Sequence, residues 1–241
     1  MKQILCLALL ALFALPALAA DDDEPVRYYD VELIIFENLA PSHRQSENWP
    51  TSVERGLPES EVMIELNRPY PGPIPEDYNP AYTFKALPRD EYRLSEEIEK
   101  IEESPNRRVL LHTAWRQPGM RWEEALNVHL SRNVPAGPGK PSKPDADQRG
   151  NDDSEPEGEA GELEAYIKVI LSRYLHVDAN VMFQTRPETG RFDFYIEESE
   201  EPVVYQLKQL RRRIRSTELH YLDHPVLGML IIMHPVETDK L

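Results

Sequence analysis

The sequence predicts an α+β fold: an antiparallel-rich β-sheet with one well-defined amphipathic helix and a disordered acidic insert. Three observations carry that prediction. Apolar and polar residues alternate on both sides of a very polar segment, at Leu126, Val128 and Leu130 before it and at Leu163, Ala165, Ile167, Val169 and Leu171 after it. Only one stretch, carrying Leu87, Leu94, Ile98 and Ile101, has helical spacing. Near the C-terminus two strand-like runs, 216–222 and 226–233, flank the turn residues Asp223-His224-Pro225, as a hairpin requires.

The elements follow in chain order. Residues 1–19 are expected to be a cleaved signal peptide. Lys2 supplies a positive start, Ile4 to Leu15 an apolar run, and Ala17-Leu18-Ala19 a small-x-small cleavage site. The run is shorter than the roughly 20 residues a spanning helix needs, and acidic residues follow it at once. Cys6, the single cysteine, lies inside this run rather than behind the cleavage site, so the mature chain is expected to have no disulfide and no lipid anchor. The expected compartment is the periplasm.

Residues 20–133 form the N-terminal part of the domain. Within it, 26–36 is rich in β-branched and aromatic residues and predicts a strand with both faces apolar near its end. Residues 40–88 are punctuated by proline, with 62–66 the one short strand. The helical stretch follows, supported by a Glu96–Lys100 i,i+4 pair and ended by Ser104-Pro105-Asn106. Residues 109–115 return as a strand. The insert, 134–162, contains no large aliphatic or aromatic residue, but five of the ten glycines and eight acids. It cannot bury enough surface to offset the entropy of ordering, so it is read as a flexible excursion between two strands of one sheet. Residues 163–241 are the C-terminal β-rich part of the same domain. From 163 to 183 every odd position except Arg173 is apolar. A straight strand of that length would reach about 70 Å at roughly 3.3 Å per residue, so it must bend, bulge or turn.

Composition narrows the function classes. A formal net charge of −16 disfavours nucleic acid and anionic lipid as partners, and no segment after the leader is apolar enough for membrane insertion. There is no G-x-S-x-G, no S-x-x-K in the mature chain and no usable cysteine, so acyl-transfer chemistry lacks its nucleophile.

Three stretches resemble a known family. They are Tyr29-Asp30-Val31-Glu32-Leu33-Ile34-Ile35-Phe36, then Leu110-Leu111-His112-Thr113-Ala114-Trp115-Arg116-Gln117-Pro118, and finally Arg215-Ser216-Thr217-Glu218-Leu219-His220-Tyr221-Leu222-Asp223-His224-Pro225 with Arg173-Tyr174-Leu175-His176-Val177-Asp178 upstream. The set resembles the CsiV type of periplasmic peptidoglycan-binding protein. The resemblance implies a non-catalytic role in wall growth: binding peptidoglycan and supporting a class A penicillin-binding protein through its outer-membrane lipoprotein activator. It carries over no catalytic residue and no cofactor.

The candidate glycan-binding residues are Trp49, Trp115, Arg116, Gln117, Tyr174, His176, Arg211, Arg213, Arg215 and Tyr221. Rings can stack on the C–H faces of sugars, and arginine pairs bidentately with the carboxylates of stem peptides. Trp49, in a loop, is the better exposed tryptophan candidate, whereas a strand residue such as Trp115 more often packs in a core. The basic run Lys208, Arg211, Arg212, Arg213 and Arg215 has a second reading, local pairing with Glu197, Glu198, Glu200 and Glu201. A rival function, a metal-dependent wall-remodelling hydrolase using His176, Asp178, His220 or His224, lacks an H-E-x-x-H or a third spaced ligand, and no metal is expected. A third possibility is an envelope scaffold without glycan affinity.

Overall fold

The structure, a computed structural model, is described for residues 26–54, 63–66, 84–135, 159–185 and 202–237. Two five-stranded, mostly antiparallel sheets replace the single expected sheet. Sheet A has the order β3-β4-β1-β10-β9, with β1 Tyr28–Asn38, β3 Lys85–Ala86, β4 Arg107–Pro118, β9 His220–Asp223 and β10 Leu227–Pro235. Sheet B has the order β2-β5-β6-β7-β8, with β2 Met63–Glu65, β5 Asn127–Pro135, β6 Glu159–Leu171, β7 Leu175–Thr185 and β8 Val203–Ile214. The short β2 pairs parallel to β5, while every other pairing is antiparallel.

The sheets pack face to face because each presents a continuous apolar face. Val31, Leu33 and Ile35 of β1, Trp115 of β4 and Met229, Ile231 and Met233 of β10 meet Val128 and Leu130 of β5, Leu163 to Val169 at odd positions of β6, and Val177, Val181 and Phe183 of β7. Alternation at period two puts each of these on the inner face. The first and last long strands, β1 and β10, pair along nearly their whole length at the centre of sheet A.

The odd-position pattern from 163 to 183 survives although the segment is a hairpin. Its turn, Ser172-Arg173-Tyr174, is three residues long and pairs Leu171 with Leu175, so odd positions stay opposite odd positions. The helix of the sequence reading is α2, Ser95–Glu102, and Lys100 and Glu96 stand 3.8 Å apart on it. Leu87 lies outside it, beyond β3, because Pro88 and a 3-10 turn at Arg89–Glu91 intervene. A second helix, α1, is the four-residue Pro41–Arg44. Of 216–222 only β9 is strand: Thr217 sits at φ 66° in a turn, its N–H on Met233 O at 2.7 Å. β8 is an element the sequence reading did not assign. Both ends of the segment read as an insert belong to paired strands, Val134 and Pro135 in β5 and Glu159 to Glu162 in β6. Its middle, like residues 1–19, lies outside the described residues.

The outer faces differ. On sheet A, α2 and the Leu94 that precedes it lay Leu94, Ile98 and Ile101 on Ile34, Phe36 and Ile232. On sheet B the outer face is more polar, but both ends are covered: Val53 packs on Tyr166, Met182 and Val204 at one, and the crossover 119–126 from β4 to β5 folds over the other, where Met120 and Ala125 cover Ile170. That crossover lies tight against the sheet: Leu171 donates its N–H to Met120 O at 2.8 Å, and a Cβ on Gly119 would stand 2.5 Å from Leu171 Cδ2.

Candidate functional site on the outer face of sheet B

A one-residue bulge in β8 decides which residues reach this face. From Thr185–Val203 to Ala179–Gln209 the β7–β8 register is regular, and it resumes one residue later at Val177–Arg212. Before the bulge the odd residues Tyr205 and Leu207 point inward; after it the even residue Ile214 does. Unbulged alternation would turn Arg211 and Arg213 toward the core, and the bulge sends both outward. Arg211 takes φ 55°, a left-handed conformation uncommon for a side-chain-bearing residue, and its N–H donates to Asp178 Oδ1 at 2.6 Å.

Each of these cations rests on a ring. The Arg213 guanidinium carbon lies 3.4 Å from the centroid of Tyr174, and that of Arg211 lies 5.0 Å from the ring of Trp122. Arg173 approaches Tyr174 at 5.7 Å. Trp122 is held in the crossover by a turn in which Glu124 and Ala125 donate their N–H groups to Arg121 O. His176, opposite Arg213 in the sheet, bonds through Nδ1 to Tyr174 O at 3.0 Å and so ties the turn down. Trp122 is 39% exposed, Tyr174 40% and Leu210, at the bulge, 58%. Large side chains are rarely left this open without a use when they gather in one patch. Among the described residues neither Arg211 nor Arg213 has a carboxylate partner for its side chain.

The sequence candidates therefore separate. Tyr174, His176, Arg211 and Arg213 converge here. Trp115 and Gln117 do not: both are core residues, and the Trp115 N–H donates to Gln117 Oε1 at 2.7 Å. Trp49 is not the exposed ring expected of a loop. It is half-buried, edge-on to Tyr205 at 5.2 Å and beside His224 at 5.3 Å, with its N–H on Arg44 O. Arg116 lies on the other sheet in a bidentate pair with Asp30 at 2.7 and 3.1 Å, which raises its pKa. Arg215 pairs with Glu218 at 3.4 Å. Tyr221 stacks on Phe36 on the outer face of sheet A, and burial together with its bond to Asp223 pushes its pKa up to about 12. Glu197, Glu198, Glu200 and Glu201, the alternative partners for the basic run, lie outside the described residues. Trp122 is not among the sequence candidates. Its signal was an isolated ring among charges, Arg121-Trp122-Glu123-Glu124, with no apolar alternation to bury it.

At the far end of the same face is a groove of about 230 Å³ between residues 51–53 and sheet B, lined in part by Glu162, Glu164 and Gln184. Its charge is opposite in sign to that of the arginine end. About 20 Å separates the two, six residues along β6 at roughly 3.3 Å each. The histidines do not gather: His220 accepts from Arg215 N–H, and His224 Nδ1 accepts from Val226 and Leu227 N–H at 3.1 and 3.2 Å. Among the described residues no three His, Cys, Asp or Glu side chains stand together as metal ligands, and no helix is long and apolar enough to cross a membrane.

A family model described as "Peptidoglycan-binding protein, CsiV" matches residues 4–236. The chain belongs to the CsiV family. The match spans nearly the whole chain, so both sheets of the sandwich and the arginine–aromatic face are part of the CsiV unit. No curated protein and no solved structure matches the chain.

Proposed function

We propose that this chain is a non-catalytic periplasmic protein that binds peptidoglycan through the Trp122–Tyr174–Arg211–Arg213 face of sheet B. The family match carries the ligand. The face is supported by its chemistry: two guanidinium groups stacked on partly exposed rings, in a protein whose overall charge repels an anionic wall. Local attraction has to offset that repulsion. The rest of the molecule, including sheet A and its helix, is left free for protein partners. By the family resemblance these are a class A penicillin-binding protein and its lipoprotein activator.

The test is a pull-down of the purified mature protein on isolated sacculi across a salt series. Binding that weakens as salt rises agrees with capture by this face. No binding at any salt would favour the envelope scaffold over this reading. Intact mass of the exported protein, starting at Ala20, tests the compartment. Co-purification with the synthase and its activator tests the partners.

A further inference from the structure

Resting on that reading of sheet B, we propose that the face reads the carboxylates of peptidoglycan stem peptides and not the sugar backbone. Sugar recognition by stacking needs open ring faces, and each exposed aromatic ring among the described residues has one of its two faces engaged within the chain, which leaves a single face for a sugar. Tyr174 carries Arg213, Trp122 carries Arg211, and Tyr221 lies on Phe36. What a stacked guanidinium leaves free is its rim of N–H donors, a planar fork that matches a carboxylate. Stacking also fixes the fork in advance, so less side-chain entropy is lost when an anion docks.

Three buried or half-buried arginines are held by carboxylates instead. Arg108 grips Glu37 at 2.5 and 3.1 Å, Arg116 grips Asp30, and Arg44 closes the other side of Glu37 at 2.5 Å. Asp178, the carboxylate nearest the bulge, is spent on the backbone N–H of Arg211 rather than on a guanidinium. It shapes the strand and leaves the two forks open. In intact peptidoglycan the lactyl acid of the sugar is consumed in the amide that joins it to the peptide, so the free carboxylates belong to the stem peptides.

The test compares native sacculi with sacculi whose carboxylates have been converted to amides by carbodiimide and excess ammonia. It uses the parent protein and the Arg211→Gln/Arg213→Gln variant. The parent should bind the amidated wall at least tenfold more weakly, while the variant should bind both walls equally and weakly. Equal binding of the parent to both walls would overturn the proposal. If the parent discriminates but the variant binds native wall as the parent does, carboxylates are read elsewhere and the assignment of this face fails instead. Thermal unfolding confirms that the variant is folded. Should it not be, Arg213→Gln alone, which leaves the bulge untouched, carries the same comparison.

Discussion

The outer faces of the two sheets hold charge in different ways. On sheet A the buried charges are paired, and exposed Arg107 lies 5.5 Å from the Phe36 ring. Glu32, 4% exposed, accepts from the N–H groups of Arg93 and Leu94 at 2.7 and 2.9 Å and stands 2.8 Å from His112 Nε2. Burial pushes the Glu32 carboxyl up, but the bonds from His112 and the two backbone N–H groups outweigh it and hold the pKa below its ordinary value. The carboxylate also sits at the N-terminus of α2, where the helix dipole favours it. On sheet B, the bulge end carries arginines that lie on rings with no carboxylate at their donors among the described residues. The contrast teaches that the buried charges of the first face serve stability, fixing the helix to the sheet, whereas the second leaves the guanidinium donors on which the proposed site rests without a carboxylate among the described residues.

The largest expected effect lies on sheet A. Glu32→Ala leaves two N–H groups and His112 without their acceptor and should cost about 3 kcal/mol, read as a fall in thermal midpoint, with sacculus binding of the folded protein unchanged. Lys168→Ala, on the outer face of sheet B, should cost less than about 1 kcal/mol. Equal losses at the two sites would erase the distinction.

Next in size is a pair of glycine substitutions. Arg211 and Thr217 both hold positive φ, 55° and 66°, and glycine relieves that conformation in each case. Both changes should be neutral or stabilising by up to about 1 kcal/mol in denaturant unfolding. Only Arg211→Gly should weaken sacculus binding. A matching loss of binding in Thr217→Gly would mean that the turn after β8 belongs to the site.

The smallest effect is on pH. Burial holds the His224 imidazole below its ordinary 6.5, against the pull of Glu47 and Asp223. His234 is lowered as well, by burial and then by Arg93. A lowered imidazole binds fewer protons in the folded state, so stability is full above about pH 6.5 and declines as pH falls below it. Glu32 adds a second decline below 4.5 by the same sign. In His224→Asn, whose side-chain oxygen can still accept from the turn, the first decline should shrink. An unchanged slope in unfolding experiments from pH 7 to 5 would rule His224 out.

Much of the fold was legible because period two is a local property. The alternation across β5, β6 and β7, the β9–β10 turn and the body of α2 could all be read from neighbours in sequence. The split into two sheets could not, since it depends on which strands pair at long range, as β1 does with β10. β8 escaped for a physical reason. Its bulge shifts the alternation by one between Leu207 and Ile214, and its second half is charged, so no single period fits it. The site was half legible on that account. Tyr174, His176, Arg211 and Arg213 were found as residue types, but the bulge that turns the arginines outward and the crossover that brings Trp122 to them appear only in three dimensions. Trp49 misled because loop position stood in for exposure, while Tyr205 and His224 in fact cover its ring.

The most direct measurement sets one face against the other. Sacculus binding is compared for Arg211→Gln/Arg213→Gln on sheet B and for Arg93→Gln/Arg107→Gln, which removes two exposed cations on the side of sheet A and its helix. Each variant loses the same formal charge, so general attraction falls equally in both. The first should bind at least tenfold more weakly at low salt with an unchanged thermal midpoint, and the second within about twofold of the parent, the tenfold difference corresponding to roughly 1.4 kcal/mol. Equal weakening of the two variants, or no weakening of the first, would contradict the assignment of wall binding to sheet B.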